Sequence, residues 1–263
     1  MQEILGYPST SNHLSFETIS DNPVNKYPAA ASIELMRIRT NYEYAIASKF
    51  IYSQINRRLM ASGVRLIDPT AVYIDHHVTI GRNTIIYPNT TITGSTQIGE
   101  NCQLGPNTVI DQCDIGDRCR IFASVLEDAT MEHDSDIGPF SHLRKGAYVC
   151  ANAHVGNFGE MKNSTLGPGS KMGHISYLGD TTIGSDVNIG AGTITCNFDG
   201  QAKHPTTIGD RAFIGSGTLI VAPIEIGEQA KTGAGAVVTH NIPSEALVYG
   251  IPARIKRNDK KNK

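Results

Sequence analysis

Three hydrophobic patterns follow one another along the chain. Residues 1–31 hold Gly6, Pro8, Pro23 and Pro28 among polar residues with no period, the pattern of an irregular arm. Met36, Tyr44, Ala47, Ile51, Ile55 and Leu59 then recur near helical spacing. With Ser32 as cap, Arg57 and Arg58 near the negative C-terminal end and Gly63 as stop, they predict one long linker helix within 32–66. Asp68-Pro69 opposes any return to helix.

From residue 80 the period changes to six. An aliphatic residue followed by glycine occurs at Ile80, Ile98, Leu104, Ile115, Ile137, Val155, Leu166, Leu178, Ile183, Ile189, Ile208, Ile214 and Ile226. These thirteen pairs absorb half of the 26 glycines. Six residues make one flat side and a corner, with the aliphatic residue inward and glycine relieving backbone strain at the turn. Three sides close a coil of about eighteen residues, stacked roughly 4.8 Å from the next. The pattern therefore predicts a parallel β-solenoid over 67–250, with a polar excursion at 196–207 and a basic tail at 251–263. That excursion, which includes Asn197, Phe198, Asp199, Gly200 and Lys203, interrupts the wall where function tends to concentrate.

Composition narrows the chemistry. Apolar residues make up 40% of the chain and aromatics 6%, with no Trp, so the core is aliphatic. A net charge of −2 and 18% charged residues argue against a disordered chain and against nucleic-acid binding. Neither a membrane-length apolar run nor a secretory signal is visible, and the five cysteines include no C-x-x-C pair. A cytoplasmic protein with reduced thiols is expected. Between 140 and 205 lie side chains that a wall does not require, among them Arg144, Lys145, His154, Asn157, Lys162, Lys171, His174, Tyr177, Asn188, Asn197 and Lys203. Cations on neighbouring coils could hold a phosphate, or could simply be a solvated face. His174 beside the loop could be a general base or a surface histidine. The spacings of His142, His154 and His174 do not make a three-histidine zinc site, so no catalytic metal is expected.

Four stretches carry a more specific likeness: Pro139-Phe140-Ser141-His142-Leu143-Arg144, His154 to Lys162, Gly169 to Asp180, and Val187 to Gly200. They resemble the acetyltransferase half of the bifunctional N-acetylglucosamine-1-phosphate uridyltransferase/glucosamine-1-phosphate acetyltransferase family, closely over 137–240 and more weakly over 33–136. The resemblance implies an all-β fold, a left-handed parallel β-helix behind one helix. It implies transfer of acetyl from acetyl-CoA to glucosamine 1-phosphate, on the route to UDP-N-acetylglucosamine and peptidoglycan, by a cytoplasmic homotrimer with sites between chains. By matching positions, His174 would be the general base, Arg144 and Lys162 would bind the sugar phosphate, Tyr177 and Asn188 the sugar, and Lys203 would sit on the active-site loop. Ala191, Asn197, Phe198, Ser216 and Ala234 would bind acetyl-CoA.

Two departures qualify these expectations. Phe198 stands where the family has Tyr, and the ending Val248-Tyr249-Gly250-Ile251-Pro252-Ala253-Arg254 lacks a clear counterpart of the family's CoA-contacting Arg, a role Arg254 could fill. No nucleotide loop or metal-binding carboxylate set precedes the helix, so this chain is not expected to perform the uridyl transfer, which a separate nucleotidyltransferase could supply. The alternatives are acetylation of another amino sugar or nucleotide sugar, or a non-catalytic β-helix that serves such a partner.

Overall fold

The computed structural model describes residues 37–258; Ser32 and Met36, the expected cap and first apolar position of the helix, lie outside them. The helix, α1, runs Asn41–Ala61. It starts about nine residues later than expected because Thr40 and Glu43 form a capping box. Glu43 N–H donates to Thr40 Oγ1 at 3.1 Å, and Thr40 N–H donates to Glu43 Oε2 at 3.0 Å. Its end is as expected. Gly63, at φ +100°, donates to the Met60 carbonyl while Val64 N–H reaches back to Leu59, a Schellman closure. The predicted apolar face is only partly correct: Ala47, Ile55 and Leu59 are buried, whereas Tyr44 and Ile51 are 64% and 55% exposed. Buried Asn56 does what the apolar pattern did not reveal. Its Nδ2 donates to the carbonyls of Pro69 and Val72 at 2.9 and 3.1 Å, tying this part of α1 to the first coil. Asp68-Pro69 opens a single 3-10 turn, Pro69–Ala71, capped by the Asp68 carboxylate.

Beyond α1 the described chain is a parallel β-solenoid. Nine short strands, from Thr79–Ile80 to Ile224–Ile226, stack in order on one face. Register partners on that face lie sixteen to eighteen residues apart, as for Thr79↔Gln97 and Asp114↔Thr130, except for Thr182↔Thr207. That longer step absorbs the excursion. Inside, three aliphatic columns fill the coil. Ile92, Ile110, Leu126 and Leu143 form one, Ile86, Leu104, Ile121 and Ile137 a second, and Ile98, Ile115, Met131 and Val149 the third, all buried.

The glycines after those aliphatics have a different cause from the one expected. Of the thirteen, only Gly105 and Gly138 take positive φ. At the others the constraint is the next coil: a Cβ on Gly81 would lie 2.6 Å from the Glu100 amide nitrogen, and one on Gly190 would lie 2.6 Å from the Ile214 carbonyl oxygen. Turn strain falls instead on Asn and Asp, as at Asn101 and Asp134, which tolerate the left-handed region. The cysteines also find a role here. Cys102 and Cys119 occupy the same inward corner as Thr84 and Ser135, and each thiol points to a backbone carbonyl of the following coil. All five cysteines are unpaired. The expected tail at 251–263 is in part a strand: Arg254–Asn258 returns antiparallel onto Ala246–Tyr249. No helix among the described residues is long and apolar enough to cross a membrane.

Stability should follow these columns. Leu104→Ala removes a fully buried side chain and should cost about 2–5 kcal/mol in denaturant unfolding. Ile51→Ala, on the exposed face of α1, should stay within about 0.5 kcal/mol. Equal losses at the two positions would contradict the assignment of the helix face.

Candidate active site

Two nine-residue strands, His154–Lys162 and Lys171–Gly179, run side by side through one corner of the solenoid. Their register pairs His154↔Lys171, Asn157↔His174, Glu160↔Tyr177 and Lys162↔Gly179. The corner turns where Gly156 meets Gly173, since a Cβ on Gly156 would overlap the Gly173 carbonyl. His174 stands exposed on this corner, with Nδ1 3.1 Å from Asn157 Oδ1. Buried Ser176 holds the backbone beneath it by donating from Oγ to the His174 carbonyl at 2.8 Å.

The same corner continues for three more coils with almost no side chain. Gly192 N–H donates to the Ile175 carbonyl at 2.6 Å, Gly217 N–H to Ala191 at 2.7 Å, and Gly235 N–H to Ser216 at 2.8 Å. Ala191, Ser216 and Ala234 therefore stack in line behind His174. Each is followed by a glycine at φ of +70° to +75°, where a larger residue would be strained. Arg254 lies beyond this column, on the returning strand in register with Tyr249.

On the face leaving the corner, charge concentrates. Arg144 Nη1 donates to Glu160 Oε1 at 2.8 Å, which leaves the guanidinium's other donors unused by that contact. Lys162 lies on the next coil, since Leu143↔Met161 puts Arg144 and Lys162 at equivalent positions. Lys203 reaches in from the loop. The ammonium of Lys203, and after it the guanidinium of Arg144, hold the Lys162 amine below the usual lysine range. The crowding of Lys203 and Arg144 against Lys162 concentrates positive charge on this face. Above them the column is empty at Gly179, and this gap lets Tyr177 Oη and Asn197 Nδ2 converge, each 2.6 Å from where a Cβ would sit.

The loop is held at both ends. At its base, Asp180 accepts from Asn197 Nδ2 at 2.5 Å and from Asn163 Nδ2 at 2.6 Å, while its carbonyl accepts from Thr206 N–H. At its tip, Asp199 accepts from the amides of Gln201 and Ala202 at 2.8 Å and from His204 Nε2 at 2.6 Å. Phe198 bridges Lys203 across this turn, and its ring is 60% exposed. Buried Thr195, in a column otherwise aliphatic, takes the Gly179 N–H where the chain departs.

The structure thus gathers Arg144, Lys162 and Lys203, joins Tyr177 to Asn197, and aligns His174 with Ala191, Ser216 and Ala234. It does not bring Asn188 to Tyr177. Asn188 lies on the face entering the corner, in register with Lys171 and Phe213. Sequence reasoning missed Glu160 and Asp180, both visible inside the quoted stretches but without a spacing that signals their contacts. His142 pairs with Glu127, His154 pairs with Asp136, and no group of three or more metal-ligating side chains exists among the described residues.

The sequence matches the family described as bacterial transferase hexapeptide (six repeats) over residues 95–125 and 205–240. The bifunctional protein GlmU of Thermosipho melanesiensis is 49% identical over 87% of this chain and 50% of its own length. That of Thermodesulfovibrio yellowstonii is 43% identical over 91% of this chain and 52% of its own. The chain spans about half the length of these curated relatives. Among solved structures, the UDP-N-acetylglucosamine acyltransferase of Arabidopsis superposes with a TM-score of 0.56 over 72% of this chain and 73% of its own, at 13% identity, a likeness of fold.

The Asp199 contacts carry a pH signature. Amide hydrogen bonds, first from Ala202, and the His204 contact hold its carboxyl below the ordinary value of 3.8. A depressed carboxyl contributes loop stability that is fully present above 3.8 and is lost as pH falls through the lower folded value. Amide protection factors of Gln201 and Ala202 should be flat from neutral pH down to 3.8 and should drop only below it. A drop at pH values well above 3.8 would mean that another group holds the turn. The six-residue repeat and the stacked coils accord with the hexapeptide match at 95–125 and 205–240 and with the two relatives, about half of whose length this chain spans.

Proposed function

We propose that this chain is an N-acetyltransferase that acetylates the amine of glucosamine 1-phosphate from acetyl-CoA. The observation that carries the reading is one corner of the solenoid. There a histidine stands at the head of a bare groove, with three cations on the adjoining face. The groove of Ala191, Ser216 and Ala234 suits a slender chain passing along the stack, because the left-handed glycines leave backbone and small side chains as its floor. Arg254 beyond Ala234 suits the anionic end of such a ligand. Asn197 and Phe198, on the loop between groove and cations, adjoin both. Acetyl-CoA supplies an acetyl thioester.

The chain's own residues then divide the work. Arg144, Lys162 and Lys203 receive the sugar phosphate, with Arg144 able to make a bidentate contact. Tyr177 orients the ring. His174 takes the proton of the attacking amine as its bond to the acetyl carbon forms, and can return it to the departing sulfur. No side-chain nucleophile is required. Asn188, on the other side of the corner from Tyr177, suits a site completed by a second copy, and exposed Phe140, Phe158 and Ile175 beside that corner suit burial in the same assembly. We infer a homotrimer, so light scattering should give about three times the 28.3 kDa chain mass; a species of one chain mass at micromolar concentration would end that inference.

His174→Ala should lower turnover by roughly 10²–10⁴ with the fold intact, the range for a lost general base. Near-full activity would move the base elsewhere, with His154 the next to test. Arg144→Ala should weaken glucosamine 1-phosphate binding by about 1.5–3 kcal/mol, roughly 10- to 150-fold, and leave acetyl-CoA affinity nearly unchanged. Unphosphorylated glucosamine serves as the control. If the substitution harms both sugars equally, the phosphate clamp is wrong and a nucleotide-sugar substrate gains ground.

A further inference from the structure

We propose that Asn157 is the positioning residue that decides which nitrogen of His174 is free to accept a proton. This rests on the reading of His174 as the base. Asn157 lies one coil from His174 in parallel register, and its Oδ1 stands 3.1 Å from Nδ1 of the ring. A carbonyl oxygen only accepts, so Nδ1 carries the hydrogen and the lone pair is left on Nε2. The two backbones that set this distance cannot drift apart. Gly156 abuts Gly173 directly, and the two strands pair on either side of the contact, at Val155↔Met172 and Gly159↔Ser176.

The identity of the partner matters as much as its place. Three other histidines among the described residues meet a carboxylate: His142 with Glu127 at 2.7 Å, His154 with Asp136 at 2.9 Å and His204 with Asp199 at 2.6 Å. His174 instead meets a neutral amide. That partner orients the ring and selects its tautomer. Had the amide turned its Nδ2 toward the ring, Nδ1 would be the acceptor and Nε2 would present a proton to the amine. One side chain thus separates a base from an inert donor.

The test reads the tautomer directly and then its consequence. In protein carrying ¹⁵N-labelled histidine, at a pH of about 8 where an ordinary imidazole is neutral, Nδ1 of His174 should show the shift of a protonated nitrogen and Nε2 that of an unprotonated one. In Asn157→Ala this preference should be lost, with kcat falling roughly 10- to 100-fold, the scale of a lost orienting partner, while KM for both substrates stays within twofold. Asn157→Asp keeps an acceptor oxygen at the same place, so it should restore the Nδ1–H signature and recover more of kcat than the alanine variant. A wild-type ring protonated on Nε2 overturns the proposal. So does an Asn157→Ala enzyme with kcat within twofold of wild type. If the alanine variant fails to fold, the wild-type spectrum and the aspartate variant decide. The spectrum needs no turnover, so failure here is distinct from failure of the base assignment, which His174→Ala tests alone.

Discussion

The solenoid depends on successive coils approaching to backbone contact. Strand pairing at roughly 4.8 Å lets each aliphatic residue sit on its counterpart in the next coil, but only if nothing projects from the chain at the closest corners. Gly81, Gly116, Gly190 and Gly209 satisfy that condition, since a Cβ on any of them would lie within 2.8 Å of the following coil's backbone. A rigid stack of this kind converts sequence separation into spatial order. Residues about seventeen apart become neighbours, and a side chain's position is set by its phase in the repeat.

The candidate site uses that conversion twice. Phase places Asn157 beside His174 and then Ala191, Ser216 and Ala234 in one line, so a groove arises from small residues recurring at a single corner. Phase also places Arg144 and Lys162 on consecutive coils, where like charges repel. The stack tolerates that repulsion because its stability comes from the aliphatic columns. The loop adds the third cation. It leaves the wall after Cys196, is pinned by Asp180 and Asp199, and brings Lys203 against Lys162. Wall and anchored loop together make a cationic cluster that neither could make alone.

How much of this was legible depended on whether the controlling interaction had a period. Hexads have one, and from them the coil length, the inward aliphatics and the break at the loop all followed. Gly63 has a local signature and was legible as the helix end. The start of α1 at Asn41 lies in Thr40-Asn41-Tyr42-Glu43, which carries the capping-box spacing, whereas Ser32 lies outside the described residues. Tyr44 and Ile51 were misjudged because helical spacing cannot tell a buried face from an exposed one on a helix only partly covered. The glycine role was assigned to turn strain because spacing identifies a glycine but not the atom that excludes its Cβ. Asn56, Glu160 and Asp180 act through single contacts between elements, and such contacts leave no period to read.

Charge pairing separates wall from site on the same grounds. Some charges of the solenoid find an opposite on an adjacent coil, as Arg118 does with Asp134 at 2.7 Å and Lys145 with Asp128 at 3.1 Å. Those pairs are exposed and contribute little to stability. Beside the corner, cations also crowd one another. Arg144 spends one nitrogen on Glu160, Lys162 faces Lys203, and His174 faces an amide. The crowding of Arg144 and Lys203 around Lys162 supports the proposed anion site, and the amide beside His174 supports the proposed base.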